Sequence, residues 1–173
     1  MLILILLMCF GCSKPQPVEP PDVDDGPDIV LNEMVEISLR DTLQLFYDNK
    51  TFALFIHYDG CPWCAEAMPL FEAVTALYPY TAYDLNFTKV YKEEADTYKV
   101  DYDILQKIVD EVLIEEDGEK VLYVPEVIFV KNGKIVYDHC STVETHDPYE
   151  APMNSDEINE LLDYYEEGYE LMK

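Results

Sequence analysis

The chain has 173 residues, 49% of them hydrophobic and 13% aromatic, enough for one compact domain with a sizeable core and a tail. Its 36 acidic and 11 basic side chains give a formal charge of -25, which argues against nucleic acid and anionic lipid surfaces as partners. The acidity reads as a solvated surface, with capture of basic substrates as its functional alternative.

Residues 1–10 are almost wholly apolar, a run far shorter than the roughly 20 residues a membrane helix needs. The run reads as the hydrophobic core of a secretory signal. Cys9-Phe10-Gly11-Cys12-Ser13 resembles a bacterial lipoprotein cleavage site, with small Gly11 before the cysteine that would carry the lipid. Two features depart from that pattern: no Lys or Arg precedes the run, and Cys9 stands where an aliphatic residue is usual. A plain signal peptide and a buried N-terminal strand are the alternatives. Pro15, Pro17, Pro20, Pro21 and Pro27 then alternate with acidic residues, the composition of an extended, solvated tether of about 3 Å per residue. The expected organisation is a lipoprotein-type signal peptide at 1–11, a disordered tether at 12–30 and a folded domain at 31–173. That places the protein outside the cytoplasm, anchored to a bacterial membrane through Cys12.

Within the domain, residues 34–37 alternate and predict a strand. Ser38 then caps a helix whose apolar face is Leu39, Leu43, Phe46 and Tyr47, ended by Asn49-Lys50. Residues 51–58 form a nearly continuous apolar run, suited to a central strand covered on both faces. Residues 65–77 read as a helix with Met68, Phe71, Val74 and Leu77 on one face, kinked at Pro69 and closed by Pro79. A third strand is predicted at 81–87. Residues 88–120 are less patterned: a helix over 102–114 with Ile104, Leu105, Ile108, Val109 and Val112 inward, a turn at 115–119, then extended chain at 121–124. Residues 127–130 and 135–137 around Asn132-Gly133 predict a β-hairpin with a type I′ turn. From Asn154 or Ser155 a last helix places Ile158, Leu161, Leu162, Tyr165 and Tyr169 on one face.

The chemistry centres on Asp59-Gly60-Cys61-Pro62-Trp63-Cys64, at the junction between the central strand and a helix. Cys61 falls at the helix N-terminus, where free N–H groups and the positive end of the dipole stabilise a thiolate. Cys64 lies one turn deeper on the same face, within reach of a disulfide. Half a zinc site is the alternative for an isolated Cys-x-x-Cys. Of five cysteines, only Cys61, Cys64 and Cys140 fall in the folded part, too few for a disulfide-stapled scaffold.

The order strand, helix, strand, motif helix, strand, helix, hairpin, helix, together with Cys61-Pro62-Trp63-Cys64, Pro69 and Val124-Pro125, resembles the thioredoxin superfamily over residues 31–173. The resemblance implies an α/β fold, a central mixed sheet flanked by helices, with a helical insertion before the C-terminal hairpin. It also implies that Pro125 is cis and packs beside the disulfide, and that the Val124 backbone pairs with an extended substrate. The family's buried acid, in the strand before the motif, is Phe55 here; His57, Asp59 or a water are candidates for its proton-relay part. Pro-Trp between the cysteines and Val before the proline are similar to glutaredoxins and disulfide-forming oxidases. The extracytoplasmic thioredoxin-like lipoproteins of Gram-positive bacteria, including the bacteriocin-accessory type, are the subgroup it looks most like.

The expected activity is thiol-disulfide exchange, with Cys61 the exposed attacking thiolate and Cys64, more buried, the resolving thiol. Pro62 suits the first helical turn, and Trp63 offers an apolar platform beside the sulfurs or simply covers the helix end. His57 is either a tuning group or a strand histidine without chemistry. Cys140 is either a third redox thiol or a semi-buried free cysteine. Neither a cofactor nor a metal is expected beyond the cysteine couple. The expected partners are protein thiols or disulfides and an undefined redox partner, and a monomer is expected. Two other classes stay open. In one, Cys61, Cys64 and His139 or Cys140 hold zinc or copper(I); in the other, the fold is a redox-inactive binding module.

Overall fold

A computed structural model describes residues 33–173, so the expected signal peptide at 1–11, Cys12, the expected tether at 12–30 and the first two residues of the expected domain lie outside the described residues. The strands are β1 (Val35–Glu36), β2 (Phe52–His57), β3 (Ala82–Asn86), β4 (Ile114–Glu116), β5 (Glu119–Val121), β6 (Glu126–Lys131) and β7 (Lys134–Cys140). The helices are α1 (Leu39–Tyr47), α2 (Pro62–Thr75), α3 (Phe87–Glu93), α4 (Tyr98–Ile108) and α5 (Ser155–Met172), with a 3-10 turn at Asp110–Val112.

Five strands form one mixed sheet in the order β1-β3-β2-β6-β7, while β4 and β5 pair separately. β1 and β2 run parallel to β3; β6 is antiparallel to both β2 and β7. Every residue of β2 is buried, as its unbroken apolar run requires of a central strand. Alternation then divides the core. Leu54 and Ile56 face a cluster with Leu39, Leu43, Phe46 and Leu105, under α1 and α4. Phe55 faces the other side, packing with Phe71, Phe129, Tyr165 and Tyr169 under α2 and α5. The central mixed sheet flanked by helices is the predicted fold class.

Local signals explain most boundaries. Ser38 Oγ accepts from the Asp41 amide and starts α1. Asn154 accepts from Glu157 N while Glu157 returns a bond to Asn154 N, a full capping box for α5. Asn132 and Gly133 both take positive φ (53° and 72°), as the type I′ turn requires. α2 runs through Pro69, which faces solvent, and ends at Thr75, ahead of Pro79.

The segment between β3 and β6 departs from expectation. β3 ends at Asn86, because the Asn86 side chain accepts from Thr88 N and Lys89 N and opens α3 at Phe87. The helix predicted over 102–114 starts earlier and stops at Ile108. Beyond it come the 3-10 turn and a β4–β5 hairpin turning at Asp117 and Gly118, both with positive φ. Val109, Val112 and Ile114 are β-branched, which disfavours continuing the helix. Val109 and Val112 stay buried nonetheless, so the apolar rhythm persists past the helix end. The insertion is therefore part helical and part β.

Candidate active site

The site sits at the C-terminal end of β2. Gly60, at φ 83°, supplies the left-handed step that reverses the chain from strand to helix. Cys61 is the N-cap of α2, extended at φ -75° and ψ 115°, and its Sγ accepts from the Cys64 amide at 3.1 Å. Pro62 occupies the first helical turn, where a missing N–H costs no bond. Cys61 and Cys64 are joined as a disulfide across a Cα–Cα distance of 5.2 Å.

The second wall comes from the turn before β6. The Val124-Pro125 peptide is cis, and Cys61 Sγ lies 3.8 Å from the Val124 carbonyl oxygen, placed to accept a thiol proton in the reduced form. Ser141 N donates to Pro125 O at 2.7 Å and ties that turn to the end of β7. Trp63 is half-buried and meets Tyr149 edge-on at 5.3 Å, so the loop after β7 steadies it.

The expected contrast between an exposed Cys61 and a buried Cys64 is corrected: each residue is 3% exposed. Access distinguishes them instead. Cys61 opens into a groove of about 650 Å³, together with Trp63, Tyr123, Val124 and Cys140, whereas Cys64 is absent from its lining.

His57 and Asp59 are both engaged elsewhere. His57 Nε2 lies 2.6 Å from Asp84 Oδ1, its ring beside Phe55. Asp59 accepts from Asn86 Nδ2 at 2.7 Å, and its own amide donates to Thr88 Oγ1 at 2.8 Å, which pins the motif loop to the start of α3. Neither lines the groove. Cys140 is a free, half-buried thiol in the groove wall. Burial first, then the nearby Glu126, pushes its pKa up to about 12, so at neutral pH it is a thiol and a poor nucleophile. His139, on the other face of β7, is held by Thr142 O at 2.7 Å and stacks on Tyr164. Among the described residues no three His, Cys, Asp or Glu side chains converge on a common point suited to a metal ion.

Sequence reading missed Glu126. It follows Pro125, pairs in register with Ile56 and Cys140, and is 1% exposed. Neither carboxyl oxygen has a hydrogen-bond partner of ordinary geometry, although the Cys140 thiol approaches it. Burial, reinforced by Asp138, pushes its pKa up to about 9, so it is a neutral acid at pH 7. The only signal was an acid opening an otherwise apolar strand. Also missed was the part of the groove built by Ile114, Glu115 and Glu116 from the insertion.

No protein-family model and no curated protein matches the chain. Similar solved structures include thioredoxins. That of Schistosoma mansoni is 18% identical, with a TM-score of 0.40 over 75% of this chain and 98% of that one. That of Malassezia sympodialis is 15% identical, with a TM-score of 0.40 over 76% and 92%. A mutant thioredoxin of Halobacterium salinarum is 12% identical, with a TM-score of 0.40 over 78% and 93%. The thioredoxin-like arrangement itself is seen in this chain's own strand order, its disulfide at the head of α2 and its cis Pro125.

Proposed function

We propose that this chain is a thiol-disulfide oxidoreductase that works outside the cytoplasm through the Cys61–Cys64 couple. One observation carries the reading: a disulfide at a helix tip whose outer sulfur, Cys61 Sγ, opens beside the Val124 carbonyl into a groove of about 650 Å³. In the reducing direction, the Cys61 thiolate attacks one sulfur of a substrate disulfide. Cys61 becomes joined to the substrate, and the other substrate sulfur leaves as a thiolate. Cys64, losing its proton, then attacks Cys61 Sγ; the Cys61–Cys64 bond forms and the second substrate sulfur leaves. Two electrons and two protons pass to the substrate. Run backwards, the same steps oxidise a substrate dithiol, and a partner thiol or disulfide resets the couple. The amide of Cys64, 3.1 Å from Cys61 Sγ in the disulfide, is placed to donate to the Cys61 thiolate of the reduced form, the species that attacks.

The anchored, extracytoplasmic setting is supported by the apolar run at 1–10 and by Gly11-Cys12, and the acidic tether would hold a monomeric domain off the membrane. Cells expressing Cys64→Ser should accumulate Cys61-linked substrates that run as mixed disulfides on non-reducing gels and vanish with reductant. If no adduct forms, and the wild-type couple is never found in both redox states, the oxidoreductase reading fails. Fractionating the same cells tests the anchor: wild type should sediment with membranes and Cys12→Ser should not.

A further inference from the structure

The groove beside the disulfide has a definite chemistry. Tyr58, Ile114 and Tyr123, which are 47%, 45% and 40% exposed, line it, and Trp63 adds a further aromatic ring. The charged side chains in its lining are Glu115 and Glu116; no Lys, Arg or His contributes. Both glutamates ride on the β4–β5 hairpin. Glu115 stands opposite Lys120 in register, but the Lys120 ammonium is held by the Asp110 carboxylate and carbonyl. Glu115 therefore has no ion pair among the described residues. Glu116 stands opposite Glu119, a like-charge pairing that works against the hairpin, and its carboxylate is fixed toward the groove wall by the Tyr123 hydroxyl. Carboxylates set among aromatic faces favour a cation twice over, by direct attraction and through the ring quadrupole.

We infer that this groove selects polypeptide segments in which the reacting cysteine is flanked by Lys or Arg, the β4–β5 hairpin supplying the recognition. The inference rests on the oxidoreductase reading and names its substrate class. An extended segment whose cysteine meets Cys61 Sγ would run along the Val124 backbone, with neighbouring side chains within the space bounded by Glu115, Glu116 and Tyr123. An acidic flank meets only repulsion there, and an apolar one gains the aromatic wall without the charge.

The test uses matched synthetic peptides, each with one intramolecular disulfide flanked by Lys, Ser or Glu, and the full chain in reduced form. At about 0.15 M salt, charges beyond roughly 8 Å are largely screened, so the local groove decides the outcome. The Lys-flanked peptide is expected to exchange about tenfold faster than the Glu-flanked one, within the range electrostatic steering supplies. In a Glu115→Gln/Glu116→Gln double variant that ratio should fall several-fold. A Glu72→Gln/Asp163→Asn variant of equal net charge, altered on α2 and α5 away from the groove, should keep it. Equal rates for the three peptides, or an equal loss in both variants, overturns the inference. Bis(2-hydroxyethyl) disulfide, uncharged, small and acyclic, separates the two readings: exchange with it but no peptide preference removes only the substrate class. Exchange with nothing removes both.

Discussion

At the scale of single residues, Glu126 is a costly group to bury. A carboxyl shut from water and lacking good partners is tolerated only in its neutral form. In the fold it holds its proton up to about pH 9, whereas in the unfolded chain it ionises near the usual 4.5. Below 4.5 both states are protonated and no penalty arises. As pH rises from about 5 to 8, the unfolded state gains the ionised form and the fold does not. Wild type therefore loses about 1.4 kcal/mol per pH unit relative to Glu126→Gln. The groups that face Glu126 are Asp138 and Cys140 on β7 and Tyr165 on α5, and they are common to both proteins. Denaturant unfolding of the pair at pH 5 and pH 8 measures the difference. A flat difference would mean that the carboxylate is ionised at both values. The residues of the motif were legible because their chemistry is local: two thiols, a turn glycine and a helix start. Glu126 was not, since an acid after a proline reads as a strand edge until β7 and the insertion cover it.

At the scale of elements, α5 comes close enough to β6 that Gly168 lies directly over the Phe129 ring, and a Cβ at 168 would collide with it. Phe129 cannot yield easily, for it is buried and packed edge-on against Tyr169 and Phe71. Gly168→Ala gains about 1 kcal/mol of helix propensity but overpacks the core at about 1–3 kcal/mol. With the Cβ placed 2.3 Å from the ring the upper end of that cost applies, so a net destabilisation of about 1–2 kcal/mol is expected in thermal or denaturant unfolding, and it should shrink when Phe129→Leu is combined with it. If Gly168→Ala proves as stable as wild type, the contact is looser than this packing implies. The elements read correctly from sequence were those whose local signals agree from end to end: β1, α1, β2, α2, β3, the β6–β7 hairpin and α5. The insertion failed because Leu105, Val109 and Val112 keep a helical apolar spacing across a point where the backbone has already left the helix. Tertiary burial, not local propensity, sets that rhythm. The groove wall carried by Ile114 to Glu116 was hidden for the same reason, since it becomes a wall only when the hairpin folds back beside Val124.

At the scale of the whole molecule, 36 acidic side chains on 173 residues give a charge of -25, and few described ion pairs offset it. Mutual repulsion within the folded state is relieved by salt. Raising NaCl from about 10 mM to about 0.5 M is expected to raise the thermal midpoint by several degrees; an unchanged or lower midpoint would show that the surface charges are already balanced locally. The division of the core by the sheet also matters at this scale. The site is set by α2 and the β6 turn, while the insertion that lines the neighbouring groove belongs to the α1 and α4 side. Selectivity can therefore change with little disturbance to the reacting sulfurs. The sequence holds a single tryptophan, and it stands between the two cysteines of the couple, edge-on to Tyr149. Indole emission is quenched by a neighbouring disulfide, so the native chain already contains an optical gauge of its own oxidation. Titrating it with a redox buffer would give the potential of the couple, which set against that of its surroundings decides the direction in which electrons flow, without attaching any dye.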